Sequence, residues 1–182
     1  MKLSITALAI LTSLVVHAQD KSPQPPKGYS WVRAEMIQSE VLKPDGWFVD
    51  QGQGWFTISN EKIIPGSFPK AAFTINVATI ATNAPNAPKV SVFNEKTVNY
   101  LATKSVLQNR TQSTNGIFKV IQYRMRDNPK GGKDMTVHNC WIANDRTGKQ
   151  IHIWFEAPTA EWESFWKTAS PFFKDLRLNE KL

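Results

Sequence analysis

One cysteine and two histidines are the side chains with the clearest capacity for nucleophilic or acid–base chemistry. His138 and Cys140 are two residues apart in the segment 135–143, whose alternating apolar and polar residues predict a strand. Both side chains are therefore expected on one face, where an imidazole could activate a thiol. Side chains at this spacing lie about 6 to 7 Å apart, which is too far for direct proton transfer. A lone cysteine in a sheet is more often a small buried apolar residue, so we expect Cys140 to be unreactive.

Motifs that would supply other kinds of catalysis are missing from the sequence. It contains no His-Glu-x-x-His or Cys-x-x-Cys arrangement, no Gly-x-Ser-x-Gly elbow and no phosphate-binding Gly-x-x-x-x-Gly-Lys loop. We therefore predict that the chain is not an enzyme and uses neither a metal nor a cofactor. The alternative is an enzyme whose site lies around His138, His152 and nearby acids.

A mixed aromatic and polar face is the best candidate for a binding site. If the polar loop 144–149 pairs its first residue with its last, Trp141 lies opposite His152, and Trp154 lies beside them across from Asn139. Indole, imidazole and amide groups on one surface are typical of sites that stack a sugar, an aromatic group or a peptide. We predict that Trp141, His152 and Trp154 bind a ligand. The alternative is that a second layer of structure covers this face and packs against the rings.

Positive charge is concentrated in one part of the chain. Residues 104–133 include seven lysines and arginines and a single acid, which gives this segment a charge of +6. We predict a basic patch of Lys119, Arg124 and Arg126 that makes electrostatic contact with an anionic membrane or polymer. The alternative is a solvated strand face. Nucleic acid is not expected as a partner, because no motif for its recognition is present.

The N-terminal residues have the composition of a secretory signal peptide. Lys2 precedes an apolar run over residues 3–16, and Val16-His17-Ala18 fits the small-x-small pattern of a cleavage site. We predict a signal peptide over 1–18 and a periplasmic or secreted protein. No second run of about 20 apolar residues follows, so no membrane span is expected. No lipid anchor is expected either, because Gln19 rather than a cysteine follows the cleavage site.

The remainder of the chain is divided into a short leader and one domain. Pro23, Pro25 and Pro26 stand among polar neighbours and predict a disordered, Pro-rich leader over 19–28. Residues 29–182 have the length of one domain with a single core. The chain has one cysteine, so packing rather than an intramolecular disulfide must stabilise this domain.

The strands that would position the candidate side chains are indicated by alternation and by turn residues. Strands are predicted at 29–32, 55–59, 73–80, 107–113, 117–126, 135–143 and 150–156. The last four follow one another without an intervening helix, which predicts an antiparallel meander. The face opposite the candidate site is apolar and is expected in the core, through Cys140, Ile142, Ile151 and Ile153.

Two helices are predicted from apolar residues that recur at helical spacing. The first spans 94–104 with Asn94 as its N-cap. The second has Thr159 as its N-cap, carries a stripe of large rings at 162, 165 and 166, and should be stopped or kinked by Pro171. Because the rings need an apolar surface to cover them, we expect this helix to lie across the meander.

The order of these elements resembles the Mog1/PsbP-like fold. The resemblance is carried by Lys43-Pro44-Asp45-Gly46-Trp47 after a first strand, by Phe73–Val77, by the helix through Val98–Ala102, and by Ile151–Phe155 running into Ala157-Pro158 and the second helix. It implies an antiparallel sheet with helices packed on it, and a binding or assembly role without catalysis. The matched positions are structural, so the resemblance implies no site residues.

The sequence as a whole predicts an α+β domain, an antiparallel sheet of about six or seven strands with two main helices packed on it. Its predicted role is that of an exported, non-enzymatic binding or accessory protein of the periplasm or cell envelope. The partner is a protein or a small-molecule ligand. The enzyme around the two histidines and the basic-patch protein are the alternatives.

Overall fold

The computed structural model of the chain describes residues 23–80, 87–127 and 132–182. The predicted signal peptide, the first four residues of the predicted leader and Lys130 of the basic segment lie outside the described residues. In the described part of the leader, the carbonyl oxygen of Pro23 accepts a hydrogen bond from the indole of Trp31 at 2.7 Å. The carbonyl oxygen of Pro26 accepts another from the backbone N–H of Tyr29 at 3.0 Å. This end of the leader therefore lies against the first strand.

The described residues form nine strands, two α-helices and two short 3-10 helices. The strands are β1 Tyr29–Ala34, β2 Ser39–Pro44, β3 Phe48–Gly52, β4 Trp55–Ser59, β5 Ala72–Thr79, β6 Gln108–Asn115, β7 Phe118–Asp127, β8 Met135–Asn144 and β9 Lys149–Pro158. The helices are α1 Val90–Ala102 and α2 Trp162–Lys174. Short 3-10 helices at Glu35–Ile37 and Thr159–Glu161 join β1 to β2 and β9 to α2.

Seven of the strands form one antiparallel sheet in the order β3-β4-β5-β9-β8-β7-β6, and β1 and β2 form a separate hairpin. The predicted α+β class and the predicted meander from β6 to β9 are confirmed. Strand β2 was not predicted, because its buried residues Val41 and Leu42 are adjacent in sequence and do not alternate with polar ones.

Pairing between β8 and β9 has the register that the loop between them predicts. Asn144 pairs with Lys149, which places Trp141 opposite His152 and Asn139 opposite Trp154. Since successive side chains on a strand alternate between faces, this register also decides which residues enter the core. The predicted apolar face is buried as expected, through Cys140, Ile142, Ile151 and Ile153.

The side of the sheet covered by α2 and by the β1–β2 hairpin, here called the inner face, holds the main core. Phe73 on β5 and Phe155 on β9 are both fully buried there, with ring centroids 4.7 Å apart. Phe172 of α2 stacks on Phe73 with centroids at 4.4 Å. The ring centroid of Trp162 in α2 lies 5.4 Å from that of Phe155. The predicted aromatic stripe of the second helix therefore packs on the sheet.

The opposite side of the sheet, here called the outer face, is covered at one end by α1. Val98 of α1 packs there against Ile121 and Tyr123 of β7. The predicted N-cap was wrong, because α1 begins at Val90 and Asn94 is buried inside it. The cap comes instead from Asp145 in the β8–β9 loop, whose carboxylate accepts hydrogen bonds from the Ser91 backbone N–H at 2.8 Å and the Ser91 hydroxyl at 2.7 Å.

Helix α2 also differs from its prediction at both ends. Thr159 is not its N-cap, because the hydroxyl of Thr159 is hydrogen-bonded to that of Thr136 at 3.0 Å and the residues 159–161 form the 3-10 helix. Pro171 does not stop the helix, which continues to Lys174. Proline removes one helical hydrogen bond, but the residue after it, Phe172, is buried against the sheet, and this packing favours continuation.

Neither α1 nor α2, the helices of the described chain, is long and apolar enough to cross a membrane.

Candidate functional site

The predicted aromatic trio forms a continuous row on the outer face. The imidazole of His152 stacks on the indole of Trp141, with ring centroids 3.7 Å apart and an angle of 10° between the planes. Trp154 lies on the other side of His152, with centroids 4.9 Å apart. All three side chains are partly exposed. The structure therefore brings the three predicted residues together.

Hydrogen bonds hold the row in place from below. The Nε2 atom of His152 lies 3.0 Å from the amide oxygen of Asn139, and the indole N–H of Trp141 donates to the hydroxyl of Tyr123 at 3.2 Å. Burial lowers the pKa of His152 to about 4, so the ring is neutral at pH 7 and can donate from Nε2 to the amide oxygen. The amide nitrogen of Asn139 is buried and has no hydrogen-bond partner within the described chain.

Helix α1 covers one end of the row and leaves the other end open. Trp141 packs at the edge of the cluster formed by Val98, Ile121 and Tyr123. Trp154 lies further from α1, next to Thr74 of β5 across the sheet. The alternative expected from the sequence, a second layer over this face, therefore holds for the Trp141 end. Trp154 is the member of the trio that borders the uncovered part.

Beyond Trp154, the outer face leads into a cavity of about 760 Å³, here called the loop cavity. The cavity lies between the β4–β5 loop, residues 60–71, and the adjoining ends of β7, β8 and β9. Its walls include Phe68, Met135, Pro158 and, two residues after Trp154 on the same face, Glu156. Two hydrogen bonds close the loop at its base. The backbone N–H of Asn60 donates to the carbonyl oxygen of Ala71 at 3.0 Å, and the backbone N–H of Ala71 donates to the side-chain oxygen of Asn60 at 2.7 Å.

Two carboxyl groups face the loop cavity and influence each other. Burial raises the pKa of Glu156, and the nearby charge of Asp127 raises it further. Two lysines also belong to the lining. Lys70 is paired with Glu161 at 2.7 Å, which leaves Lys133 to balance two carboxylates. The formal charges of the lining sum to zero, but one of its two lysines is engaged by a carboxylate outside the lining.

The other two candidates for chemistry lie on the inner face. His138 packs between Trp166 and Phe173 of α2, with ring centroids 4.6 Å from each. Burial, and secondarily the charge of Arg124, lowers the pKa of His138 to about 4. Burial raises the pKa of the Cys140 thiol to about 12, so no thiolate is present at neutral pH.

The enzyme alternative placed one site around His138 and His152, and the structure does not bring them together. They lie on opposite faces of the sheet, because His138 pairs across from Phe155 of the core and His152 across from Trp141. The Nε2 atom of His138 lies 3.1 Å from the side-chain amide oxygen of Gln122, just as that of His152 lies 3.0 Å from the amide oxygen of Asn139. Both histidines therefore have packing partners rather than reactive ones.

The predicted basic patch is divided between the two faces of β7. Lys119 lies 3.5 Å from the carboxylate of Asp145 on the outer face. Arg124 lies over the indole of Trp162 on the inner face, and Arg126 forms a bidentate pair with Asp134. Every member of the predicted patch thus interacts with a carboxylate or an aromatic ring.

The loop cavity was missed in the sequence. Its walls come from four separate parts of the chain, and none of them forms a motif. One signal was present: Phe68 stands in the turn-rich segment 65–69, where a large apolar residue has no strand or helix to bury it. Phe68 is in fact 89% exposed. Across residues 23–80, 87–127 and 132–182, no three histidine, cysteine or carboxylate side chains lie together as a metal site.

No family model matches the sequence, and no curated protein matches it at a significant level.

Solved structures match the fold at low sequence identity. A Pseudomonas aeruginosa protein of unknown function is 14% identical, with 83% of this chain and 97% of that chain covered and a TM-score of 0.53. The Saccharomyces cerevisiae Ran-binding protein Mog1p is 10% identical, with 78% and 82% covered and a TM-score of 0.48. Cyanobacterial PsbP from Synechocystis is 13% identical, with 87% and 96% covered and a TM-score of 0.49. The likeness to the Pseudomonas protein shows a shared fold and says nothing about activity. The described chain has an α+β fold, in which two helices pack on a seven-stranded antiparallel sheet.

Proposed function

We propose that this chain is an exported, non-enzymatic binding protein of the periplasm or cell envelope, and that its ligand occupies the loop cavity. The observation that carries the proposal is the cavity itself, whose volume of about 760 Å³ lies within the usual range for sites that hold small molecules. Glu156, two residues after Trp154 on the same face of β9, belongs to its lining, whereas Trp141, His152 and Trp154 do not.

The chemistry of the lining favours an amphiphilic amine as the ligand. Phe68, Met135 and Pro158 offer apolar walls for a hydrocarbon or aromatic body. Glu156 and Asp127 repel each other, since the charge of Asp127 contributes to the raised pKa of Glu156. A ligand ammonium group between them would remove this repulsion and gain two charge-assisted hydrogen bonds. The cation would be drawn to the carboxylates although the chain as a whole is basic.

Binding rather than catalysis is supported by the state of the reactive groups. The thiol of Cys140 is buried and protonated, with a pKa of about 12. His138 and His152 are neutral at pH 7 and lie on opposite faces. His138 and Cys140 share the inner face of β8, but the buried thiol stays protonated and offers no thiolate for nucleophilic attack.

Fluorescence titration with naphthylmethylamine tests the ligand chemistry, with naphthalenemethanol and naphthoate as its neutral and anionic counterparts. We expect the amine to bind at least roughly tenfold more tightly than naphthoate, which corresponds to about 1.4 kcal/mol. Glu156→Gln should weaken amine binding several-fold and leave naphthalenemethanol unchanged. Amine binding should also weaken as the pH falls, because protonation of Glu156 removes one of the two charges.

Phe68→Ala should weaken all three probes, since the ring forms part of the apolar wall. Tyr100→Ala is the matched control, because Tyr100 is also a strongly exposed ring, 63% exposed, but lies on α1 away from the cavity. Tighter binding of naphthoate than of the amine would refute the assigned ligand chemistry. Equal effects of the Phe68 and Tyr100 substitutions would refute the site.

Export is supported by the positive Lys2, the apolar run over 3–16 and the cleavage pattern ending at Ala18. N-terminal sequencing of the protein released by osmotic shock from an expressing bacterium should begin at Gln19. Ala18→Asp should prevent cleavage and leave the precursor associated with the membrane. Recovery of the chain in the cytosol with its first residues intact would contradict the proposed export. The binding site is tested separately, by the titrations above.

A further inference from the structure

A mixed aromatic and basic surface runs along the side of α1 that faces away from the sheet. Phe93, Lys96 and Tyr100 follow one another at intervals of three and four residues, which places them on one side of the helix. All three are exposed, Phe93 by 40% and Tyr100 by 63%. The opposite side of α1 is buried through Val90 and Val98. The outward side therefore presents rings and an ammonium group to solvent.

The same surface continues into the turn that follows α1. The ammonium group of Lys104 lies 5.6 Å from the centroid of the Tyr100 ring, a cation–π contact that keeps the two side chains together. Residues 102–107 and Arg110 then line a shallow depression of about 530 Å³. Val106 in its wall is 79% exposed. We call the following residues the α1 surface: Phe93, Lys96, Tyr100, Lys104, Val106 and Arg110.

Exposed apolar side chains are concentrated on and around the α1 surface. Nine large apolar side chains of the described chain are exposed, and four of them lie within residues 92–106. These four are Val92, Phe93, Tyr100 and Val106. Single exposed apolar residues are ordinary in proteins, whereas a contiguous group marks an interaction site. The grouping indicates a partner that covers apolar side chains.

The charge of the same segment selects the kind of partner. Residues 89–110 contain four cations, Lys89, Lys96, Lys104 and Arg110, and one acid, Glu95. None of the four cations takes part in an ion pair within the described chain. Glu95 lies on another side of the helix, where it borders the space between α1 and strands β6 and β7. By contrast, each member of the predicted basic patch forms an ion pair.

We propose that the α1 surface docks the protein on an anionic membrane. Rings and lysines that alternate on one exposed side are typical of segments that lie at the level of lipid headgroups. The rings of Phe93 and Tyr100 enter the boundary between headgroups and acyl chains, while the ammonium groups stay with the phosphates. Among the residues that line the depression, Lys104 and Arg110 are charged and both are positive, which matches a headgroup phosphate.

The exposed rings favour a lipid surface over an acidic polymer or protein. An acidic polymer would pair with the same cations but would leave the rings of Phe93 and Tyr100 in water. A membrane satisfies both parts of the surface at once. The α1 surface shares no residue with the lining of the loop cavity, so docking is independent of amine binding.

Sedimentation with vesicles of phosphatidylglycerol and phosphatidylcholine measures the docking. The chain is used as recovered from an expressing bacterium, and all variants share the same N-terminus. Binding should be present at about 0.1 M salt and weaker at about 0.5 M. Lys96→Gln and Lys104→Gln should each lower the partition coefficient about fivefold, the contribution expected of one cation near an anionic surface. Lys167→Gln is the matched control, because Lys167 is also an exposed helical lysine but lies on α2, on the inner face.

Changes at the rings separate a lipid partner from other anions. Tyr100→Ala should weaken vesicle binding several-fold, because the ring no longer leaves water on docking. Phe48→Ala is the matched control, because Phe48 is a ring 46% exposed on the edge strand β3, away from α1. A dye that emits further to the blue in apolar surroundings can be attached at Phe93→Cys, since the thiol of Cys140 is buried and protonated. Its emission should shift with anionic vesicles and stay unchanged with polyglutamate.

Three results would overturn the proposal. The first is the absence of sedimentation with anionic vesicles at the lower salt concentration. The second is an equal loss for Lys96→Gln and Lys167→Gln, which would mean that the attraction is spread over the whole basic chain. The third is the same dye emission with vesicles and with polyglutamate, which would assign the surface to an acidic polymer or protein. Naphthylmethylamine binding should be unchanged in Lys96→Gln, so the two proposed sites succeed or fail separately.

Discussion

Replacing Phe73 with alanine is expected to lower the free energy of unfolding by about 3 to 5 kcal/mol, the range found when a large ring is removed from a core. Phe73 is fully buried on β5. Its ring centroid lies 4.7 Å from that of Phe155 on the neighbouring strand, 4.4 Å from that of Phe172 in α2 and 5.9 Å from that of Trp47 before β3. The substitution therefore opens a cavity where three parts of the fold meet.

Urea unfolding monitored by circular dichroism measures this effect. The midpoint should fall while the dependence on urea concentration stays the same, because the surface exposed on unfolding hardly changes. Phe48→Ala provides the control, since Phe48 is 46% exposed on the edge strand β3 and its loss should change stability by about 0.5 kcal/mol or less. A loss below about 1 kcal/mol for Phe73→Ala would show that the aromatic cluster is not the centre of the core.

The pairing of β8 with β9 could be predicted from the sequence because it depends on neighbours along the chain. Six residues separate the two runs, Gly148 accepts a positive φ of 71° in the turn, and alternation fixes which side chains face inward. The stacking of Trp141 on His152 follows from this register alone. Local information was therefore sufficient for the row of rings.

Coverage of that row could not be predicted, because it depends on contacts between distant residues. Helix α1 begins at Val90, and its first turn is capped at Ser91 by the carboxylate of Asp145, which lies 54 residues after Ser91. Asn94, a residue that often caps helices, is instead used inside the helix to contact Gln150 of β9. Local capping preference predicted the right element and the wrong starting residue for this reason.

The loop cavity was missed for a related reason. Glu156 follows the strand alternation that predicts an outward side chain, and the sequence does not indicate that the loop 60–71 lies above it. A carboxylate on the outward side of a strand is expected in solvent until the covering loop is placed. The rise in the pKa of Glu156 is a tertiary effect of that placement.

Acidification from pH 7 to pH 4 is expected to destabilise the domain strongly through its two buried histidines. The pKa values of His138 and His152 are about 4 in the folded chain against 6.5 for the free side chain. Between these values the unfolded chain binds protons that the folded chain does not, so stability falls as the pH falls. Each histidine contributes a loss of about 3 kcal/mol by pH 4, since one pKa unit corresponds to about 1.4 kcal/mol.

Other groups near the histidines set the expected size of the effect. His138 faces the guanidinium of Arg124, which opposes its protonation, and the neutral amide of Gln122. His152 faces the neutral side chains of Asn139, Trp141 and Trp154. Glu156 acts in the opposite direction, because its raised pKa makes the folded chain bind a proton first as the pH falls. The combined loss is therefore expected to stay below the sum of the two histidine contributions.

Urea unfolding at pH 7, 6, 5 and 4 measures this loss, and NMR titration of the imidazole carbon-bound protons measures the two pKa values directly. His152→Gln should flatten the pH dependence by about half, because an amide can still donate to Asn139 but does not titrate. Phe48→Ala should retain the full pH dependence. Stability that is constant between pH 7 and pH 4, or imidazole pKa values near 6.5 in the folded chain, would mean that the rings are solvated and that neither face of the sheet is packed as described.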